Sequence, residues 1–299
     1  MEDITACAVC GEGNFSHWMK CKDHTVSGEF FNIDKCNSCG FVFTNPRPLL
    51  EDLGNYYKAE AYISHTDSSK GIVNKLYKLV RKTTLRKKYN LVREFLLGKT
   101  LLDIGAGTGA FLNYCKEQGQ TVFGVEPDPD ARKVAKDTYG IIEVPEEAMN
   151  SWGEGCFSVI TMWHVLEHVP KLNDRIQDIK RLLSDEGRLF IAVPNHLSRD
   201  AVHYGSVWAA YDVPRHLSHF TPETVERLFG NNGFVLEKML PMKFDAFYVS
   251  MLSEKYKTGS SGVIIGAIQG FLSNLTANKG RWSSQIYVFK KNEAKTPSV

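Results

Sequence analysis

The sequence lacks a long hydrophobic run, a strong net charge and a recognisable leader. Its longest uncharged stretch, residues 258–278, is interrupted by Gln269, Asn274 and several Gly and Ser, so it is too polar to predict a membrane span. The opening MEDITACAVC has early acids and no apolar segment, so we expect no signal peptide. The net charge is +2 over 299 residues, and composition alone therefore indicates neither a nucleic acid nor an acidic partner.

Cysteine is well represented instead. Seven cysteines without a secretory signal are typical of thiols kept reduced in the cytosol and available to a metal, and we therefore expect a cytoplasmic protein. With 43% hydrophobic residues, the chain can form one large core and a smaller appended module. Charge is unevenly distributed, because residues 70–93 contain nine Lys or Arg and no acid.

Hydrophobic periodicity divides the chain into four segments. Residues 1–45 are Cys-rich with little helical pattern, residues 46–97 pass from the turn NPRP into a helical pattern, and residues 293–299 form a tail. Over residues 98–292, strands alternate with helices, which favours a mostly parallel sheet covered on both faces. We predict strands at 100–104, 121–126, 141–144, 157–162, 187–193, 234–241 and 283–291, and helices at 109–118, 128–138, 172–183 and 222–231.

The segment LLDIGAGTG places a glycine loop between a strand and a helix. Gly105, Gly107 and Gly109 allow the backbone to approach a ligand closely. Asp103 precedes the loop, where a carboxylate repels a phosphate but attracts an ammonium or sulfonium, and Glu126 ends the next strand, where a carboxylate can accept both hydroxyls of a ribose. A dinucleotide also satisfies the bare glycine pattern, but the acid before the loop favours S-adenosylmethionine.

At these residues the chain resembles the class I S-adenosylmethionine-dependent methyltransferases, over residues 99–290. LLDIGAGTG is similar to their first motif, VEPD to their second, FSVITMWHVLEHVP to the segment after the fourth strand, and LLSDEGRLFIAVPN to the following helix, turn and fifth strand. The resemblance implies an α/β fold with a seven-stranded, mostly parallel, Rossmann-like sheet. The cofactor contacts that we expect on this basis are Asp103, Gly105, Ala106, Gly107, Gly109, Glu126, Pro127, Trp163 and His164, with Asp128 near the adenine.

Two Cys-x-x-Cys pairs, CAVC and CNSC, are separated by 25 residues. Cys7, Cys10, Cys36 and Cys39 can complete a tetrahedral zinc shell, and a closed shell of four thiolates is structural rather than catalytic. Because about 45 residues bury too little surface alone, zinc would hold this module together. A zinc module before a methyltransferase domain resembles sugar C-methyltransferases of deoxysugar pathways and, more loosely, ribosomal RNA guanine methyltransferases. The segment CGFVFTNPRP is similar to methyltransferases encoded with cell-surface glycan pathways.

Polar and aromatic residues follow the fourth and fifth predicted strands, where open parallel sheets bind ligands. His168 and His216, the latter in WAAYDVPRHLSHF, are the candidate catalytic bases, and Glu167 is placed to orient one of them. An oxygen or carbon acceptor requires such a base, whereas an amine or thiol acceptor can react without one.

The first functional hypothesis is a methyltransferase that acts on a small molecule, a glycan precursor or a lipid-linked intermediate, by O- or C-methylation. Residues 46–97 are interpreted as a helical lid or linker. The basic residues 70–93 within it and the apolar residues 259–275 then suit an anionic amphiphile or the anionic membrane that carries it. The alternative is an RNA methyltransferase whose zinc module and basic helix bind phosphates, although only Tyr77 and Tyr89 supply rings in that helix. A third hypothesis, a non-catalytic cofactor-binding adaptor, is disfavoured by the intact glycines and acids.

Overall fold

The computed structural model describes residues 1–57, 72–96, 100–278 and 280–292. The predicted tail at 293–299 and part of the predicted helical segment, residues 58–71 and 97, lie outside the described residues. The strands are β1 (Phe15–Lys22), β2 (Phe30–Cys36), β3 (Val42–Thr44), β4 (Thr100–Ile104), β5 (Thr121–Val125), β6 (Glu143–Val144), β7 (Phe157–Trp163), β8 (Leu183–Pro194), β9 (Ser218–His219), β10 (Phe234–Pro241) and β11 (Ser284–Lys291). The helices are α1 (Leu50–Leu53), α2 (Ile72–Val92), α3 (Ala110–Glu117), α4 (Pro129–Tyr139), α5 (Leu172–Leu182), α6 (Arg199–Tyr204), α7 (Pro222–Asn231), α8 (Lys243–Thr258) and α9 (Val263–Thr276).

A seven-stranded sheet has the order β10-β11-β8-β7-β4-β5-β6, in which β4 pairs in parallel with both β5 and β7, and β5 pairs in parallel with β6. The predicted α/β fold with a mostly parallel sheet is therefore confirmed. β8 begins four residues before its predicted start at 187. The polar segment SDEG adds no apolar side chain to the strand pattern, so in the sequence it resembles a turn. In the structure it continues the strand, with Asp185 and Glu186 exposed.

The Cys-rich segment forms a second sheet, in the order β1-β2-β3-β9. β1 pairs with β2, β2 with β3, and β3 with β9, all antiparallel. The fourth strand, β9, lies more than 170 positions beyond β3 in the sequence. Its two residues, Ser218 and His219, are too few to produce a strand signal, which is why the sequence analysis did not anticipate this pairing.

The chain folds into two compact units. The first comprises residues of Met1–Ala59, His164–Arg175 and Ile191–Val288, and the second comprises residues of Glu60–Trp163, Ile176–Phe190 and Phe289–Val299. The core of the first unit includes Ile33, Val42 and Trp208, all nearly inaccessible to solvent. Among the described residues, no helix combines the length and apolar character needed to cross a bilayer.

Local sequence accounts for the starts of the helices that follow β5 and β9. Asp128 is the N-cap of α4: its side chain accepts a hydrogen bond from the Asp130 amide at 2.9 Å, and Pro129 occupies the first helical position. Thr221 is the N-cap of α7, and its hydroxyl accepts a hydrogen bond from the Thr224 amide at 3.2 Å. These side chains satisfy amides that a helix leaves unpaired at its first turn.

Helices α8 and α9 pack closely within the first unit because glycines occupy the contact. A Cβ atom added at Gly266 would lie 2.4 Å from the Met251 Cα, and one added at Gly270 would lie 2.6 Å from the Ala246 carbonyl oxygen. Both distances are far below van der Waals contact and involve backbone atoms that cannot rotate away. The spacing of Gly266 and Gly270, one helical turn apart, therefore determines how closely the two helices approach.

We expect Gly266→Ala to lower the free energy of unfolding by about 1–3 kcal/mol, because the added methyl group must push α8 and α9 apart. Gly230→Ala in α7 is the matched control, since a Cβ there meets no atom within 4 Å. Removing this helical glycine should leave stability unchanged or raise it by about 0.5–1 kcal/mol. Urea unfolding of both variants measures the difference, and equal stability of the two would contradict the packing role of Gly266.

Candidate functional site

The glycine loop leaves β4 and enters α3, as predicted. The amides of Gly105 and Ala106 both donate to the Val125 carbonyl oxygen, at 2.7 and 3.1 Å, which ties the loop to the end of β5. Gly107 and Gly109 have positive φ angles of 60° and 73°. A Cβ at Gly109 would collide with Ala135, whereas one at Gly107 would meet no atom within 4 Å. Packing and backbone conformation thus both require a glycine at position 109, whereas the space beside Gly107 is open.

Asp103 is buried at the end of β4, with only 2% of its surface exposed. Its Oδ1 accepts a hydrogen bond from the Thr161 hydroxyl on the neighbouring strand β7, at 2.5 Å. Burial raises the pKa of this carboxyl to about 7, although the Thr161 hydroxyl and the charge of Lys88 favour the ionised form. A cationic ligand group placed beside Asp103 would restore the charged carboxylate.

Glu126 immediately follows β5 and is oriented by backbone amides. Its Oε2 accepts from the Gly107 amide at 2.8 Å, and its Oε1 accepts from the Asp128 amide at 2.9 Å. Burial raises the pKa of Glu126 despite these two bonds. Arg132 donates to the carbonyl oxygens of Glu126 and Pro127, at 2.6 and 2.8 Å. The carboxylate is therefore held in one orientation and keeps further lone pairs available to a ligand.

Trp163 ends β7 and contacts a residue of the basic helix. The ammonium of Lys88 lies 4.6 Å from the centre of the Trp163 ring, and Phe111 meets the ring edge-on at 5.7 Å. The indole Nε1–H is buried and has no hydrogen-bond acceptor among the described residues. Lys88 was missed as a candidate site residue, because the basic pattern of 70–93 did not distinguish one lysine from the others.

Glu143 on β6 is a second residue that the sequence analysis missed. Both of its carboxylate oxygens are buried without a hydrogen-bond partner among the described residues. Burial and, to a lesser degree, the negative charges of Glu126 and Asp103 together raise its pKa to about 8, although the charge of Arg132 opposes them. The available signal was an acid within the otherwise apolar run of a short strand, in IIEVP.

His164 belongs to the first unit, whereas the other predicted cofactor contacts belong to the second. Its Nε2 lies 2.7 Å from Asp245 and its Nδ1 lies 3.3 Å from Glu167. Burial lowers the pKa of this imidazole, but the ion pair with Asp245 and the contact with Glu167 outweigh burial and raise it to about 10. His164 is consequently a cation between two carboxylates at neutral pH.

The two candidate bases, His168 and His216, lie together in the first unit, with ring centres 4.6 Å apart. The His168 Nδ1 lies 3.0 Å from the Arg215 carbonyl oxygen and 2.9 Å from the Tyr57 hydroxyl, and the His216 Nδ1 lies 2.9 Å from the Ala210 carbonyl oxygen. Burial lowers the pKa of His168 to about 4. A neutral His168 therefore has the protonation state that a base or a metal ligand requires.

The four predicted zinc ligands also come together. The Sγ atoms of Cys7 and Cys39 are 3.5 Å apart, as are those of Cys10 and Cys36, and all four lie within 4.8 Å of one another. Thiolates bound to one tetrahedral zinc at about 2.3 Å would be about 3.8 Å apart. Each knuckle closes with a glycine amide, because Gly11 donates to the Cys7 carbonyl oxygen and Gly40 to that of Cys36. The donor set and its spacing fit one zinc ion.

The loop, its flanking acids and the sheet order define the class of protein. A model of the methyltransferase domain family matches residues 77–238, more than half of the chain, and the chain belongs to that family. The resemblance to class I methyltransferases is thereby confirmed.

Known relatives and solved structures agree with this class. The ubiquinone biosynthesis O-methyltransferase of Glaesserella parasuis is 33% identical over 115 residues, which cover 35% of this chain and 49% of that protein. The chain spans about half the length of the first curated relatives it matches. A SAM-dependent methyltransferase from Archaeoglobus fulgidus is 19% identical with a TM-score of 0.50, over 71% of this chain and 94% of that one. A geranyl diphosphate C-methyltransferase from Streptomyces coelicolor is 14% identical with a TM-score of 0.51, over 76% and 86%. The two structures show a shared fold.

We expect Glu143→Gln to change how stability depends on pH. The pKa of Glu143 is raised from 4.5 to about 8, so the folded protein keeps this proton while the unfolded chain releases it. The free energy of unfolding should therefore fall as the pH rises through this window, by at most about 1.4 kcal/mol per pH unit for this one group. Urea unfolding at several pH values should show a shallower fall in the variant.

Asp103 and Glu126 also have raised pKa values and remain in the Glu143→Gln variant, so a smaller slope rather than none is expected. Glu117→Gln, which removes an exposed glutamate of α3, is the control. A slope equal to that of the unaltered protein in Glu143→Gln would show that Glu143 is not a buried protonated acid.

Proposed function

We propose that the protein is an S-adenosylmethionine-dependent methyltransferase that acts on a small molecule. The observation that carries this proposal is the pair of buried acids on either side of the glycine loop in a chain of the methyltransferase domain family. The bound cofactor supplies a methyl group activated by a positive sulfur. An acceptor atom attacks that methyl carbon in line, the carbon–sulfur bond breaks, and the electron pair remains on the sulfur.

The residues of the second unit would bind the cofactor. Asp103, desolvated and near its pKa, accepts the cationic amino-acid end, and the preoriented carboxylate of Glu126 accepts the two ribose hydroxyls. The backbone from Gly105 to Gly109 lines the cofactor. The Trp163 Nε1–H, which has no hydrogen-bond acceptor among the described residues, would supply a donor for a carboxylate of the ligand. The nearby Lys88 ammonium would supply positive charge.

His168 and His216 are the proposed bases for an oxygen or carbon acceptor. Each ring has its Nδ1 at hydrogen-bond distance from a backbone carbonyl oxygen, and donation from Nδ1 to that oxygen would leave the Nε2 lone pair to take a proton. O-methylation is the proposed reaction class, because the curated relative from Glaesserella parasuis is an O-methyltransferase. C-methylation by the same groups is the second possibility, since deprotonation of carbon also needs a base.

Zinc is the proposed structural metal of the N-terminal module. Cys7, Cys10, Cys36 and Cys39 would hold it in a closed shell with no open position for substrate. The close sulfur positions and the two glycine-closed knuckles support this assignment. In the cytoplasm, where we propose that the protein acts, these thiols would stay reduced and able to bind metal.

A glycan precursor or lipid-linked intermediate, met at an anionic membrane surface, is the proposed acceptor class. Helix α9 exposes Ile264 and Leu275 with 77% and 68% of their surface, and no charged residue occurs in this helix. Exposed lysines at 243, 255 and 257 lie on the neighbouring α8, whose two acids are the paired Asp245 and the buried Glu254. An apolar helix beside a cationic one suits an anionic lipid. Co-sedimentation with anionic and neutral vesicles at low and moderate salt, beside an RNA-binding titration, tests this assignment.

Asp103→Asn and Glu126→Ala should each weaken S-adenosylmethionine binding, by about 1–3 kcal/mol for the loss of a charged hydrogen bond. Asp137→Asn, on the exposed side of α4, is the matched control and should bind normally. Isothermal titration calorimetry measures the affinities. Unchanged affinity in both site variants, or tighter binding of NAD than of the methyl donor, would refute the cofactor assignment.

Protein purified without chelator should contain one equivalent of zinc that Cys36→Ser removes. Cys156→Ser, which alters an exposed cysteine outside the cluster, should keep that equivalent. Because the metal stabilises only the folded module, strong chelation should also lower the thermal unfolding midpoint. Elemental analysis and thermal unfolding provide the measurements, and equal zinc content in both variants would exclude the four-cysteine site.

A further inference from the structure

Three side chains of the first unit that can each donate a ligand atom to a metal ion lie close together, although a proton transfer would need fewer of them. Glu167 and His168 follow β7, and His216 precedes β9. One carboxylate oxygen and one nitrogen from each ring all lie within 4.8 Å of one another. Apart from the four cysteines, this is the group of possible metal donors found among the described residues. A single base would require only one of the two imidazoles.

Each ring has its Nδ1 beside a backbone carbonyl oxygen, which can only accept a hydrogen bond. The His168 Nδ1 lies 3.0 Å from the Arg215 oxygen and 2.9 Å from the Tyr57 hydroxyl, and the His216 Nδ1 lies 2.9 Å from the Ala210 oxygen. The His216 Nε2 lies 3.9 Å from the Asp212 carboxylate. A hydrogen bond from one ring nitrogen to a carbonyl is also how metal-binding histidines are oriented.

Glu167 has one satisfied and one unsatisfied oxygen. Its Oε1 lies 3.3 Å from the His164 Nδ1, whereas its Oε2 is buried with no hydrogen-bond partner among the described residues. The side chain is only 1% exposed, so solvent does not compensate. An unpartnered carboxylate oxygen is costly to bury, and a cation beside it would remove that cost.

We propose that Glu167, His168 and His216 bind one divalent first-row transition-metal ion through a carboxylate oxygen and one nitrogen of each imidazole. Such donors bind at about 2.0–2.2 Å, and a set of one carboxylate and two imidazoles leaves coordination positions open. This site differs from the four-cysteine site in its donor atoms, which are oxygen and nitrogen rather than sulfur. Thiolates select softer ions than these donors do. If the proposed function holds, the ion would bind the acceptor hydroxyl and lower its pKa, and in the metal-bound protein it would promote the deprotonation that is assigned above to the two imidazoles.

Manganese is the probe, because it prefers oxygen and nitrogen donors to the thiolates of the cysteine cluster. Titration of zinc-loaded, full-length protein with Mn²⁺, followed by the electron paramagnetic resonance signal of free Mn²⁺, should reveal one saturable site. Spin-echo spectra of the bound ion should show modulation from imidazole nitrogen. In the unaltered protein, the absence of a saturable Mn²⁺ site, or a bound ion whose spectrum lacks nitrogen modulation, would overturn the proposal.

Variants locate the site. Glu167→Gln and His216→Gln should each raise the Mn²⁺ dissociation constant at least about tenfold, whereas His17→Gln, which alters an imidazole with 58% of its side chain exposed, should not. Cooperative thermal unfolding verifies that each variant is folded. Unchanged Mn²⁺ affinity in folded Glu167→Gln and His216→Gln would refute the assignment. Because Mn²⁺ binding is measured without the methyl donor, failure of cofactor binding would refute the proposed function alone.

Discussion

The arrangement of the first unit depends on the buried guanidinium of Arg215. Its side chain is completely inaccessible to solvent, and it donates to Asp212, to the Tyr56 carbonyl oxygen at 3.0 Å and to Asp23 at 3.4 Å. A buried charge is tolerated only when its donors are paired, and removing one partner of such a pair typically costs about 3–5 kcal/mol. Its own carbonyl oxygen accepts from His168. The position of the histidine pair therefore depends on contacts that begin at residues 23 and 56.

The second unit has the opposite electrostatic character. Asp103, Glu126 and Glu143 are buried together, and burial raises the pKa of each. Their mutual repulsion is only partly offset by Lys88 and Arg132. A site of this kind gains more from a cationic ligand than an exposed carboxylate would, since the ligand replaces solvation that the acids have lost. This property supports a cofactor with a positive amino-acid end, and it could not be inferred from the spacing of the acids in the sequence.

Features that depend on neighbouring residues were predictable. The helix starts at Asp128 and Thr221, the turn at Gly109 and the paired cysteines all follow from short-range hydrogen bonding and from the conformations that a residue type permits. Pairing of β3 with β9, the contact of Lys88 with Trp163 and the burial of Glu143 could not be predicted. Each of these features depends on residues that are far apart in the chain, and a periodic pattern in the sequence does not predict which distant element will be the partner.

The α/β alternation, the glycine loop with its two acids and the four-cysteine spacing can be identified in the amino-acid sequence, because these features depend on backbone conformation and on donor separations within a few residues. Three contacts emerge only from the folded chain: Asp103 accepts a hydrogen bond from Thr161, His164 lies between Asp245 and Glu167, and Glu167, His168 and His216 converge. They do so because burial and long-range pairing arise from packing of the whole core. A side chain's charge state and partners depend on that packing, whatever its position in a motif.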